Sequence, residues 1–265
     1  MSRTVQEVIE KLIEPAGLRL ESTVDTLKSG RLDAQVGKAA VAFTATYTVI
    51  RQAVEAGADL LVTHEPTYFN HLDDSSWFSE DPVYAKKRKL IEESGIAIFR
   101  LHDYIHRYRP DGILIGMLRK LEWESFADAD NPKLLSLPDE ESHTVGTVVQ
   151  HLKSKLQLDS VQVAGNPEMP VKRLALLPGA PGGRAQMQAI GRNGVDLLIA
   201  GETSEWETNE YVRDAIDMGM AKALILTGHQ KSEEAGMTTV MEVLRAAFPD
   251  LPVQFIDSPA AVTRM

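Results

Sequence analysis

Cysteine is absent from the 265 residues. That excludes disulfides, thiolate metal sites and cysteine nucleophiles, and leaves His, Asp and Glu as the strong ligand types, so any metal here sits among nitrogen and oxygen donors. Long apolar runs are missing too. No stretch approaches the roughly 18 to 20 residues that a membrane helix requires. Residues 1–14 place Val5, Val8, Ile9, Leu12 and Ile13 at helical spacing, without the basic start and unbroken apolar core of an export signal. The expected compartment is the cytoplasm, with no membrane partner. Positive charge is in short supply: 28 Lys and Arg stand against 38 Asp and Glu, a formal charge of -10, which disfavours a nucleic-acid partner. The one basic cluster, Lys86 to Lys89, falls on an expected helix and reads as a solvated face.

What is present is ample apolar content, 43%, enough to bury one large or two modest cores. The pattern alternates short apolar runs with amphipathic ones. Strands are expected at 38–43, 59–63 and 96–101, with helices at 49–56 and 83–93 between them, each helix closed by a glycine, Gly57 and Gly95. Strand, helix, glycine, strand is the grammar of a parallel βαβ unit. After a helix at 113–121, the acidic, proline-containing stretch 123–143 reads as a connection, and the grammar then repeats. Helices are expected at 145–156, 185–192, 207–218 and 232–247, and strands at 161–164, 174–177, 196–200, 223–227 and 253–256. The stretches Gly57-Ala-Asp-Leu-Leu-Val-Thr-His64 and Gly194-Val-Asp-Leu-Leu-Ile-Ala-Gly201 are alike enough to suggest an internal duplication. The expected architecture is α/β, two related lobes with a metal cleft at the carboxyl ends of the strands. Residues 1–122 form the first lobe and 123–219 the second, while 220–265 return to the first and complete the site.

Chemistry gathers at the strand ends, where open parallel sheets place their functional loops. His64, His102, His106 and His229 all fall there. His229 and Glu233 stand at i and i+4 at a helix start, on one face and within reach of a common ion. His102 and His106 share that spacing, but Pro110 leaves it open whether a helical turn carries them. His64 and Glu65 precede Pro66, and at a turn such neighbours can diverge toward two adjacent ions. The competing readings are ordinary: Glu65 as a surface or capping carboxylate, Glu233 as an acid favoured by a helix N-terminus. Asp103 and Tyr104 are placed to support the ligands or to move protons. The loop Pro178-Gly-Ala-Pro-Gly-Gly183 with Arg184 reads either as a phosphate cradle or as a plain tight turn.

Four stretches carry a family resemblance: 36–46 (VGKAAVAFTAT), 57–69 (GADLLVTHEPTYF), 195–204 (VDLLIAGETS) and 228–233 (GHQKSE). With them the chain resembles, over nearly its whole length, the dinuclear metal-centre hexameric proteins, NGG-interacting-factor-like, whose members are often named type 2 homologues of GTP cyclohydrolase I. That family carries two adjacent histidines at the strand end, then His, three residues, Asp in the second loop, and Gly-His, three residues, Glu in the last motif. His64, His102, His229 and Glu233 match. Glu65 stands where the second histidine belongs and His106 where the aspartate belongs, so His64, Glu65, His106, His229 and Glu233 keep the family total of three imidazoles and two carboxylates. The resemblance implies two divalent ions (Zn, Mn or Fe) on these residues with His102 beside them. It places Glu202, in Gly-Glu-Thr-Ser-Glu, at the same cleft, where a helix cap is the alternative. It further implies a homohexamer and metal-dependent hydrolysis of a small molecule. That substrate could be a purine nucleotide opened by a cyclohydrolase or a phosphoester, with Arg107, Arg109 and Arg184 near its phosphates. The rival from another class is a non-catalytic metal-binding regulatory or scaffold protein.

Overall fold

The computed structural model describes residues 3–138, 142–192 and 194–262. The chain divides into two compact units, Met1–Gly112 with Gly236–Ala261, and Ile113–Ala235 with Val262–Met265. The first unit opens with α1 (Val5–Ile13), started by a capping box between Thr4 and Glu7 and burying Val5, Val8 and Leu12 at helical spacing. Then follow β1 (Leu27–Ser29), β2 (Ala39–Ala42), α2 (Tyr47–Glu55), β3 (Leu60–Thr63), α3 (Pro82–Ser94) and β4 (Ala97–Arg100). Every residue of β2, β3 and β4 is buried, as expected of parallel strands covered on both faces.

The run Lys86 to Lys89 is not a uniformly solvated face. The inner face of α3 is Tyr84, Lys87 and Ile91, and Lys87 donates its ammonium to the Thr67 carbonyl while lying over the rings of Tyr68 and Phe69. Burial holds its pKa down to about 8. A lysine stem can follow an apolar surface inward when its head finds an acceptor, which charge counting along a helix does not detect.

In the second unit come α4 (Gly112–Leu121), β5 (Leu134–Ser136), α5 (Val145–Leu156), β6 (Gln162–Ala164), β7 (Arg173–Leu177), α6 (Gly183–Arg192), β8 (Leu197–Ala200), α7 (Glu210–Asp217), β9 (Ala223–Leu226) and α8 (His229–Glu233). Its sheet runs β5-β7-β8-β9-β6, with β7, β8 and β9 parallel and both edge strands antiparallel. The stretch expected as a bare connection, 123–143, thus supplies an edge strand; its residues 139–141, like Met1 and Ser2 of the expected first helix, lie outside the described residues. The chain then gives the first unit α9 (Met237–Ala247) and β10 (Val253–Phe255), whose sheet runs β1-β4-β3-β2-β10. The single helix expected at 232–247 is therefore two, separated by a 3-10 turn at Glu234–Gly236, where glycine disfavours a continuous helix. The segment 220–265 is divided accordingly, β9 and α8 belonging to the second unit. Among the described residues no helix is long and apolar enough to cross a membrane.

The two similar stretches occupy equivalent places. Each enters through a glycine in the left-handed region, Gly57 at φ 71° and Gly194 at φ 61°, and each forms the middle strand of its five-stranded sheet, β3 and β8, with a parallel neighbour on either side. The aspartate of each does the same work: Asp59 accepts from the amides of Gly37 and Lys38, and Asp196 from those of Lys172 and Arg173. The two lobes are related in side-chain function as well as in pattern.

Candidate metal centre

In the first unit β3 ends at Thr63, and the next two amides, His64 and Glu65, both donate to the Phe43 carbonyl at 3.0 Å. That turn buries His64 completely. Beyond β4, the His102 amide and its two successors are gathered by one carboxylate: Asp25 accepts from His102 at 2.7 Å, Asp103 at 2.9 Å and Tyr104 at 2.8 Å. Burial raises the Asp25 pKa, the three amides opposing it. The spacing left open in the sequence lies on a tight turn, the His106 amide reaching the His102 carbonyl at 3.4 Å.

Three imidazoles meet as a result. The ring of His64 stacks on His102 with centroids 4.6 Å apart, and His106 stands edge-on to both at 5.1 and 5.2 Å. One ligand nitrogen from each lies within 4.8 Å of the others. Each ring is also held from behind. His64 Nδ1 is 3.1 Å from the Leu101 carbonyl, His102 Nδ1 2.9 Å from Asp103, and His106 Nδ1 3.1 Å from Asp111. A carbonyl or carboxylate oxygen only accepts, so Nδ1 carries the hydrogen and each neutral ring presents its lone pair at Nε2. Such backing is the usual companion of imidazole ligands.

Asp103 is itself held by further bonds. Burial would raise its pKa, but hydrogen bonds from His102, Thr23 and the Val24 amide outweigh that and hold it down to about 2. The His102 pKa falls to about 4, through burial first and the neighbouring His64 second. Asp103, expected either to support a ligand or to move protons, makes bonds of the supporting kind. Glu65 has two neighbours: a ligand oxygen of its carboxylate lies within 4.8 Å of a ring nitrogen of His64, and the carboxylate is 3.9 Å from the guanidinium of Arg100, a fully buried side chain that also donates to the carbonyls of His64 and His71.

In the second unit, Gly228 at φ 90° leads into α8, and His229 sits between two carboxylates. Its Nδ1 is 3.3 Å from Glu202 and its Nε2 2.9 Å from Glu233. A ring flanked by two anions is a place for a cation, either a proton or a metal. Glu233 is buried, and Gly179 makes the room: a Cβ there would come within 2.2 Å of the Glu233 carboxylate. Of the glycines in the loop 178–183, Gly179 thus packs against Glu233 and Gly183 against Glu207, while a Cβ at Gly182 would meet open space. Gln186, itself buried, donates to the Glu202 carbonyl and fixes that loop.

The residues expected from the sequence fall into these two groups, His64, Glu65, His102, Asp103 and His106 in the first unit, Glu202, His229 and Glu233 in the second. Sequence reasoning missed Asp25, Asp111, Arg100 and His71, whose ring stands 5.3 Å from His102. Asp111 lies five residues from His106 and was findable by looking for a carboxylate behind each histidine; the others gave no local signal.

The family profile described as Duf34/NIF3 (NGG1p interacting factor 3) matches residues 3–261. The chain is 24% identical to a protein of Clostridium perfringens (strain 13 / Type A) named "GTP cyclohydrolase 1 type 2 homolog", across 97% of each chain. It is 26% identical to a protein of the same name from Neisseria meningitidis serogroup B (strain ATCC BAA-335 / MC58), across 93% of this chain and 90% of that one. Its fold is similar to that of Staphylococcus aureus protein SA1388, with a TM-score of 0.77, 16% identity and 99% of both chains covered.

Proposed function

This chain belongs to the DUF34/NIF3 family, and from that premise we propose that it is a metal-dependent hydrolase of a small molecule. The proposed donors of a pair of divalent ions, Zn, Mn or Fe, are His64, Glu65 and His106 of the first unit and His229 and Glu233 of the second, with His102 beside them. The observation that carries the reading is the set of three imidazoles, each backed at Nδ1 and presenting Nε2. When bound, such ions supply Lewis acidity that polarises an electrophile and lowers the pKa of water to near neutrality. The chain's own groups do the rest. Asp103 and Asp111 orient their imidazoles, and Glu202, with its side chain 58% exposed and one oxygen facing His229, is the carboxylate placed to take and return a proton.

A nucleotide is the proposed substrate class, on the strength of the relatives' names and of Arg107, Arg109 and Arg184 as phosphate partners; a ring-opening cyclohydrolase is its specific form. The proposed assembly is a homohexamer, and the proposed compartment the cytoplasm. The test begins with metal content per chain after exposure to Zn, Mn and Fe in turn, and continues with the best-loaded protein against GTP and model phosphoesters, ring opening being followed by near-ultraviolet absorbance. Two ions per chain and turnover abolished by Glu202→Gln are the expected outcome, with His143→Ala unchanged in metal content. Loaded protein that turns over neither class would leave the metal-binding scaffold as the function.

A further inference from the structure

The motif correspondence spreads the ligands over both units, yet the first unit contains a complete nitrogen donor set. We propose that His64, His102 and His106 bind one metal ion by themselves, with His102 a full ligand and Glu65 retained as the counter-ion of Arg100. The proposal rests on the metal-dependent reading above and revises its donor set for the first ion, with His102 in the place given there to Glu65.

Three observations converge on it. The rings of His64, His102 and His106 meet with their ligand nitrogens within 4.8 Å, and all three are oriented by acceptors behind Nδ1. The loop that carries His102 is fixed from within the same unit, by the three amide hydrogen bonds to Asp25. Finally, Glu65 has another task. Arg100 is fully buried, with the carboxylates of Glu65 and Asp73 each 3.9 Å away, and of the four carboxylates whose charge it feels, those of Glu65, Asp73, Asp25 and Asp103, Glu65 acts most strongly. Asp73 already pairs with Lys28 at 2.9 Å. Withdrawing Glu65 toward a metal would take from a buried guanidinium the strongest of its counter-charges, a costly exchange.

The residue at 106 explains how such a set arises. With His at 106, the pair at 102 and 106 is two imidazoles rather than an imidazole and a carboxylate, and His64 makes a third. A set of three neutral nitrogens suits Zn better than Mn, which favours carboxylate oxygen.

The experiment uses full-length protein stripped with a chelator and titrated with Zn or Mn by calorimetry, with plasma mass spectrometry giving ions per chain. The double variant His229→Ala/Glu233→Gln is expected to keep one Zn per chain at the affinity of the first ion of the unaltered protein, and Glu65→Gln to keep that ion too. Adding His102→Ala to the double variant is expected to weaken it by more than about 100-fold, since loss of mere supporting groups already costs about 10- to 100-fold. His102→Gln repeats the test with a side chain of similar length, and a thermal melt by circular dichroism verifies the fold of each variant. If the unaltered chain binds two ions and the double variant none, the ions bind only jointly: the inference falls and the metal-pair reading stands. If the unaltered chain binds one ion, lost on changing His102, the inference stands and the pair falls. No ion in the unaltered chain sinks both, and indifference to His102 sinks the inference alone.

Discussion

Asp25 is a single residue on which a whole loop depends. Its carboxylate accepts from three consecutive amides, 102 to 104, and is itself 7% exposed. Replacing it with alanine leaves three donors without that acceptor. A buried unsatisfied group costs about 1–3 kcal/mol, and with water entering the vacated space the expected loss is about 2–4 kcal/mol in total, read from the urea midpoint. Asp25→Asn should lie between, because its amide side faces N–H donors it cannot accept from. A midpoint unmoved in the alanine variant would show that the loop is held by other means. Single residues also show the limit of what the sequence reveals. His64, His102 and His229 were legible because short apolar runs end at or just before them. Asp25 was not, because its partners lie 77 to 79 residues away and no periodicity links the two. Arg100 was hidden inside an apolar strand, where only the buried carbonyls and carboxylates around it account for a charge.

At the level of elements, the buried parallel strands β2, β3, β4, β7, β8 and β9 were readable as short apolar runs. The edge strands β1 and β5 were not, being three residues long, with β5 inside the stretch read as an acidic connection. The break between α8 and α9 was also missed, since the apolar spacing runs on through it. The loop after β7 can be tested directly. Gly179 adopts φ 66°, and a Cβ would lie 2.2 Å from the Glu233 carboxylate. Gly201 is as tightly placed, with Ser232 Oγ at 2.4 Å from its would-be Cβ. Gly179→Ala therefore meets both backbone strain and a carboxylate that must move, with an expected cost of about 1–3 kcal/mol. Because Glu233 moves, the expected second effect is loss of its 2.9 Å contact with His229, seen as a change in the His229 imidazole resonances by NMR. A variant as stable as the parent, with those resonances in place, would mean the loop yields instead of Glu233.

For the molecule as a whole, the two-lobed α/β architecture was legible because the pattern occurs twice, down to the aspartates at 59 and 196. The allocation of the last segment was not, since sheet membership depends on long-range pairing: β9 joins β8 and β6, whereas β10 joins β2. If the proposed donors of both units bind metal, loading should be visible as an ordered sequence of local stabilisations. A ligand that binds only the native state stabilises it by about 2.7 kcal/mol at 100 times its Kd, which corresponds to roughly 100-fold slower amide exchange wherever opening breaks the site. If the three-imidazole set fills first, one equivalent of Zn added to stripped protein should slow exchange in peptides covering 62–66 and 101–108 while leaving 228–234 unchanged, and a second equivalent should slow the latter. Simultaneous protection of both regions by the first equivalent would mean that neither group of donors binds alone, and the order of filling proposed for the first unit would have to be given up.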